Sequence, residues 1–232
     1  MADQAQSTAT LRLTVGTLRI VHPITVPSGP VAASEVVPAL QGLVNAVVAE
    51  AERGQTISCR KGCGACCRQL VPVSRSEGER LVQTIAALPA ERRERLQARF
   101  AAAESRIEAA GLGDRQGRSD RELSAAYFAL GLPCPFLEDE SCSIHPERPL
   151  VCREYLVTSP AALCAGAAQE GVTPVAVPKV SLAARGLQDD KDDWFPLAML
   201  MAWARRRRHT ATRRAGPEWV QRFLARLSSA SR

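Results

Sequence analysis

The chain has 232 residues, 46% of them hydrophobic and 23% charged, which excludes a wholly disordered or collagen-like protein and suits one domain or a closely joined pair. Aromatic residues make up only 4%, which disfavours binding of single-stranded nucleic acid by base stacking. The net charge of +6 belongs to the end of the chain, because nine arginines and one acidic residue give segment 205–232 a charge of +8.

The sequence begins with two alternating apolar patterns, Leu11–Val15 and Leu18–Val26, which predict a β-hairpin. Helical spacing of apolar residues, or a run of strong helix formers, dominates most of the remaining chain. Ser34 is predicted to cap the first helix, and Ser74 with Glu77 forms a capping-box pattern that opens the second. Further helices are predicted over Ala90–Ala110, Glu122–Leu130, Leu150–Leu156, Trp194–Arg208 and Pro217–Leu227, with a strand over Thr173–Val180.

These elements predict a mainly α fold with a small N-terminal β-hairpin, of class α+β, in which helices surround a cysteine-rich site. The chain divides into three predicted segments: a β element and helix over 1–56, a cysteine-cluster domain over 57–157, and an extension with arginine-rich helices over 158–232.

The chain is expected to be cytoplasmic. It shows no secretory signal and no apolar stretch as long as a membrane-spanning helix, so no membrane span is expected. Thiols stay reduced in the cytosol, where clustered cysteines indicate metal ligands or redox groups before disulfides.

Four of the eight cysteines lie close together in the pattern C-x3-C-x2-CC. The C-x2-C pair suits convergence of two sulfurs on one ion, and Gly62 and Gly64 give the intervening turn backbone freedom. Arg60, Lys61 and Arg68 are expected to lower the thiol pKa values and favour the metal-binding thiolate. These four cysteines are Cys59, Cys63, Cys66 and Cys67.

A second group follows after a long stretch of predicted helices and contains Cys134, Cys142 and Cys152. Seven thiols exceed the four that one structural zinc needs. Three arrangements remain open: a polynuclear site with bridging thiolates, an iron–sulfur cluster held by four cysteines, or one four-thiolate ion with spare redox-active thiols. The eighth cysteine, Cys164, is interpreted as a buried small hydrophobe, and His145 as a solvated loop residue or a ligand.

The pattern C-x3-C-x2-CC, then CPFL, C-x-I, RP and CR-x-Y, resembles the YkgJ-type CxxCxxCC cysteine-cluster family over about residues 57–157. Members of that family are described as zinc- or iron-chelating, and the resemblance implies that the seven cysteines are the metal ligands. The matching residues are Cys59, Cys63, Cys66, Cys67, Cys134, Pro135, Phe136, Leu137, Cys142, Ile144, Arg148, Pro149, Cys152, Arg153 and Tyr155.

The leading functional hypothesis is a protein that chelates zinc or iron, the iron either as an ion or within an iron–sulfur cluster. The first alternative is an iron–sulfur enzyme, either an oxidoreductase or one similar to the flagellin lysine N-methylases of the same family. No glycine-rich nucleotide loop or other familiar catalytic motif supports it, so no catalytic residue is assigned. The second alternative is a nucleic-acid interaction module that uses the Arg-rich C-terminal tail over 205–232, which begins with the run Arg205–Arg208. No macromolecular partner is assigned.

Overall fold

The computed structural model describes residues 5–113, 117–166, 170–188, 193–207 and 212–230. They form a mainly helical α+β fold that begins with a β-hairpin, which confirms the predicted fold class. The helices are α1 (Ala33–Ala51), α2 (Arg75–Ala86), α3 (Ala90–Ala109), α4 (Asp120–Ala129), α5 (Leu150–Glu154), α6 (Leu182–Arg185), α7 (Leu200–Arg206) and α8 (Gly216–Ala230). The strands are β1 (Gln6–Val15), β2 (Leu18–Pro27), β3 (Pro30–Ala32), β4 (Pro72–Ser74), β5 (Leu137–Glu138), β6 (Ser141–Cys142), β7 (Trp194–Pro196) and β8 (Arg213–Ala215).

The predicted N-terminal hairpin is present. Strands β1 and β2 pair antiparallel with Val15 opposite Leu18, so the turn has two residues, and Gly16 occupies it with φ of 59°. Ile20 and Ile24 point from β2 into the core next to α1, whereas most of β1 faces solvent. The hairpin therefore covers one side of α1.

The beginnings of the helices follow their capping residues. Ser74 and Glu77 form the predicted capping box of α2. The expected cap at Ser34 is wrong: the cap position is Ala32, so α1 begins two residues earlier than expected, and the Glu35 carboxylate accepts the Ala32 N–H at 2.9 Å. Ser34 instead lies buried in the first turn of the helix.

Two predictions in the last third of the chain are wrong, and proline is a cause in both. The predicted strand Thr173–Val180 reduces to one isolated bridge, between Val157 and Pro174, because its prolines cannot donate to a ladder. The predicted helix Trp194–Arg208 begins instead as strand β7, turns through a 3-10 helix at Leu197–Met199 and becomes α-helical only over α7. Pro196 ends the strand.

Hydrophobic side chains gather into three clusters. The first joins the hairpin, α1 and α8; the second joins α2 and α3 to Phe136 and Ile144; the third lies between α3, α4 and α7. Cys59 packs against the first cluster, while Cys134 and Cys142 pack against the second. The two groups of cysteines thus lie where the first two clusters meet.

Short antiparallel sheets connect distant parts of the chain. Strand β3 pairs with β8, and β4 pairs with β7, so the last predicted segment, 158–232, is paired with each of the other two. The proposed division at 56/57 and 157/158 remains a prediction. Within the described residues, none of the helices combines the length and the apolar character needed to cross a bilayer.

Candidate metal centre

Both groups of cysteines line one cavity of about 670 Å³. We call residues 59–67 the first cysteine segment and residues 134–152 the second. The structure brings together all seven cysteines that the sequence singled out, and each is half-buried and free of a disulfide. They are Cys59, Cys63, Cys66, Cys67, Cys134, Cys142 and Cys152.

The first cysteine segment is a series of tight turns. Gly62 has φ of 85°, the left-handed conformation that glycine adopts most easily, and the Cys63 N–H donates to Arg60 O at 3.1 Å. Cys66 and Cys67 lie in the 3-10 helix Ala65–Arg68, none of whose residues is fully buried. The turn therefore requires glycine at position 62 because of its backbone conformation, as predicted.

Gly64 serves a different purpose from the one its sequence position predicted. Its φ of −97° is open to any residue, but a Cβ there would lie 2.7 Å from Leu137 Cδ1 and closer still to the Glu140 carboxylate. The first segment therefore touches the second through a glycine. Cys67 O accepts the Cys134 N–H at 2.7 Å, which adds a backbone hydrogen bond at the same junction.

Arg68 was expected to act on the thiols, but it forms an ion pair with Glu140 across this junction. Its guanidinium donates to both Glu140 carboxylate oxygens, at 2.6 and 3.0 Å, and to Gly64 O at 3.0 Å. Glu140 follows Asp139 in the two-residue turn between β5 and β6, where both residues have positive φ. Of the three acidic residues at 138–140, the first ends β5 and the other two form the turn.

Buried polar contacts hold the second cysteine segment in place. Arg153, only 4% exposed, donates to Arg148 O at 3.0 Å, to Asn45 Oδ1 of α1 at 3.0 Å, and to Pro146 O. The Leu150 N–H at the start of α5 donates to the buried Glu77 carboxylate at 2.8 Å. These hydrogen bonds make Arg153 a structural residue of this segment.

Burial raises the pKa of several thiols. Loss of hydration raises the pKa of Cys134 to about 12 and raises those of Cys142 and Cys152 as well. The pKa of Cys66 is raised first by its hydrogen bond with the Cys67 thiol and then by burial, and that of Cys59 by burial. At neutral pH the metal-free site therefore holds these five thiols protonated.

Cys66 and Arg148 each affect the pKa values of cysteines in both segments. The charge of Cys66 raises the pKa values of cysteines in both segments, and the Arg148 guanidinium lowers those of Cys59, Cys142 and Cys152. The expectation that neighbouring cations lower the thiol pKa values is wrong for Cys59, whose pKa burial raises, and for Cys66, whose pKa the Cys67 hydrogen bond and then burial raise. The cation that acts on both segments is Arg148, which belongs to the second.

His145 and Cys164 occupy the edges of the site. His145 is exposed in the 3-10 turn His145–Glu147 and lines the cavity; partial burial together with Arg148 and Arg153 lowers its pKa. Cys164 is buried, as predicted, on a 3-10 turn that packs against Ala65–Arg68, and it does not line the cavity.

The donor set decides which metals these residues would hold. Thiolates favour zinc, Cu(I) and iron–sulfur clusters over magnesium or calcium. In donor chemistry and charge, though not in their present spacing, seven thiols beside the Arg148 guanidinium suit an anionic metal–thiolate group; the Arg148 Nε is buried with no hydrogen-bond partner among the described residues. Among those residues, no three His, Cys, Asp or Glu side chains have an arrangement that would hold a metal ion.

The arginine run of α7 is engaged with acidic residues of the same chain. Arg205 pairs with Glu104 and Arg206 with Glu108, and Arg207 pairs with Glu79. Arg208 lies outside the described residues. These ion pairs favour a solvated helix end over a free basic surface, and they weaken the nucleic-acid alternative.

Comparison with known proteins assigns part of the chain to a family. Residues 58–170 match the model of the CxxCxxCC family, described as "Putative zinc- or iron-chelating domain". The matched range contains both cysteine segments and Cys164. Neither the curated proteins nor the solved structures contain a match to this chain.

Proposed function

We propose that this protein binds zinc or iron through thiolates contributed jointly by its two cysteine segments, a proposal supported by the match of residues 58–170 to the CxxCxxCC family model. The observation that carries the proposal is the shared cavity: seven cysteines, in two groups far apart in the sequence, line the same space. If the cysteines served only to pack other parts of the fold, the two groups would not need to line the same cavity.

The number of thiols favours more than a single four-thiolate ion. Cys66 and Cys67 are adjacent in the chain, and adjacent side chains rarely serve as ordinary ligands of one tetrahedral ion. A polynuclear centre or an iron–sulfur cluster uses such a thiol-rich site more completely than one zinc does. When bound, the metal would supply either a structural cross-link between the segments or, as an iron–sulfur cluster, electron transfer.

Metal binding in this site is coupled to proton release. The thiols whose pKa values burial raises are protonated at neutral pH, and only thiolates are good ligands. Arg148 offsets the negative charge that remains once the protons have left. Metal affinity is therefore expected to rise with pH through the neutral range.

Metal analysis of the protein purified without oxygen tests the proposal. Stoichiometric zinc in a colourless protein, or iron with acid-labile sulfide and the visible absorption of an iron–sulfur cluster, distinguishes the two metals. Cys63→Ser and Cys134→Ser, one in each segment, should each lower the bound metal at least about tenfold, because each removes a thiolate from a joint site.

The matched control is Cys164→Ser, the same substitution at a buried cysteine that does not line the cavity. It should retain its metal. Unchanged metal content in both Cys63→Ser and Cys134→Ser would rule out the joint site. The iron–sulfur enzyme remains the alternative only if the metal proves to be iron.

A further inference from the structure

The cavity at the cysteines is larger than a metal site requires. Its volume of about 670 Å³ falls in the range of pockets that hold small organic molecules. Besides the cysteines, its lining includes the apolar residues Leu70, Val71, Phe136 and Leu197. A metal ion or compact cluster fills only part of this volume, so the cavity has room for a second ligand.

Three buried polar atoms of the lining residues lack a hydrogen-bond partner among the described residues: Gln69 Nε2, Arg148 Nε and the Tyr155 hydroxyl. Gln69 and Cys164 are close enough to Tyr155 to affect its pKa, but neither forms a hydrogen bond of acceptable geometry with the hydroxyl. Native proteins rarely leave such groups unpaired, because an unpaired buried polar atom costs free energy. All three can donate, so they match a ligand with acceptor oxygens.

The charges around the cavity favour an anionic acceptor. Arg60, Lys61 and Arg148 line it, and no described carboxylate forms an ion pair with any of them. The acidic residue of the lining, Glu140, is already bound by both ends of the Arg68 guanidinium. Arg148 also faces the thiolates, so Gln69 and Tyr155 are the donors available to a ligand alone.

We propose that the cavity binds, beside the metal, a small monocarboxylate with an apolar body. Its carboxylate oxygens accept hydrogen bonds from Gln69 and Tyr155, and its hydrocarbon part contacts Leu70, Val71 and Leu197. This second site goes beyond metal binding, and it would make the cavity a place where a small organic acid meets the metal–thiolate group.

Calorimetric titration of the zinc-loaded full chain with hexanoate, and separately with hexan-1-ol, tests this inference. Hexanoate should bind saturably, one molecule per chain, and at least about tenfold more tightly than the alcohol, because hydrogen bonds to a charged acceptor are the stronger ones. Gln69→Met and Tyr155→Phe should each weaken hexanoate binding about tenfold while leaving hexan-1-ol binding unchanged.

Tyr127→Phe is the matched control, since Tyr127 is buried but does not line the cavity, and it should bind hexanoate as the wild type does. Zinc content is measured for every variant, so a failure of metal binding is seen separately from a failure of the acid site. The inference is overturned if the wild type binds hexanoate no better than hexan-1-ol, or if both variants bind it unchanged. If Tyr155→Phe does not fold, hexanoate binding by Gln69→Met alone decides the test.

Discussion

The two cysteine segments line the same cavity but are held in very different ways. The second is fixed by buried groups: Phe136 and Leu150 are at most 1% exposed, and the Arg153 side chain binds three oxygens. The first consists of turns, and its 3-10 helix contains no fully buried residue. The difference indicates that buried contacts fix the second segment, whereas the first depends on its contact with the second.

The largest predicted effect is on the rate of thiol alkylation in the metal-free protein, which tests how well the fold buries the second segment. With a pKa raised to about 12, Cys134 has about 1000-fold less thiolate at pH 8 than a cysteine with the ordinary value of 9.0. Its reaction with iodoacetamide, followed by peptide mass spectrometry, should be slower by that factor. The rate should rise about tenfold per pH unit, because deprotonation limits it.

The control for this measurement is the same cysteine in urea, where burial is lost and the ordinary rate should return. Equal rates for folded and unfolded protein would show that the second segment opens readily. The contrast between the segments would then be lost.

Removal of the metal tests the contrast directly. Amides of 59–68 should exchange with deuterium about 100-fold faster in the chelator-treated protein, because few buried contacts hold these turns closed. Amides of α5 should change less than about tenfold, since Leu150 and Glu77 anchor that helix independently of metal. Mass spectrometry of peptic peptides resolves the two segments, and an equal rise in both would contradict the comparison.

A third prediction concerns Glu77, which joins α2 to the helix that carries Cys152. Its two oxygens accept from Ser74 and from the Leu150 N–H, all in a buried setting. Glu77→Ala should therefore lower the free energy of unfolding by about 3 kcal/mol, because buried donors lose their acceptor. Urea unfolding of the metal-loaded protein measures the loss.

The chain contains its own control for that substitution. Ser119 and Glu122 form the same capping box at the start of α4, but Glu122 is exposed and binds no second helix. Glu122→Ala should cost much less than Glu77→Ala. Similar losses would mean that Glu77 acts as an ordinary helix cap and does not anchor the second segment.

Local signals in the sequence predicted much of this architecture. The hairpin with Gly16 in its turn, the capping box at Ser74 and Glu77, and the two groups of cysteines all follow from neighbouring residues. Their physical causes act over a few positions, so a single sequence contains them. Whether the seven cysteines are the actual ligands remains a prediction.

Long-range contacts could not be predicted in the same way. The capping box shows one oxygen of Glu77 in use, but nothing local indicates that the other accepts the N–H of Leu150, which is distant in the sequence. The raised thiol pKa values likewise depend on burial by distant elements, and the cation that lowers the pKa values of Cys59 and Cys66 is the distant Arg148. Gly64 is needed because of Leu137 and Glu140, and only the folded chain brings these together.

The smallest predicted effect is the difference in stability and metal binding between alanine substitutions at the two glycines of the first segment. At Gly62 an added Cβ meets nothing within 4 Å, so Gly62→Ala should cost only the strain of a positive φ, about 1 kcal/mol. At Gly64 the Cβ would collide with Leu137 and Glu140, so Gly64→Ala should cost about 2 kcal/mol and push the two segments apart. Zinc competition with a chromophoric chelator should therefore show weaker metal binding for Gly64→Ala than for Gly62→Ala. The opposite order would mean that turn conformation, and not the junction with the second segment, places the first four thiols.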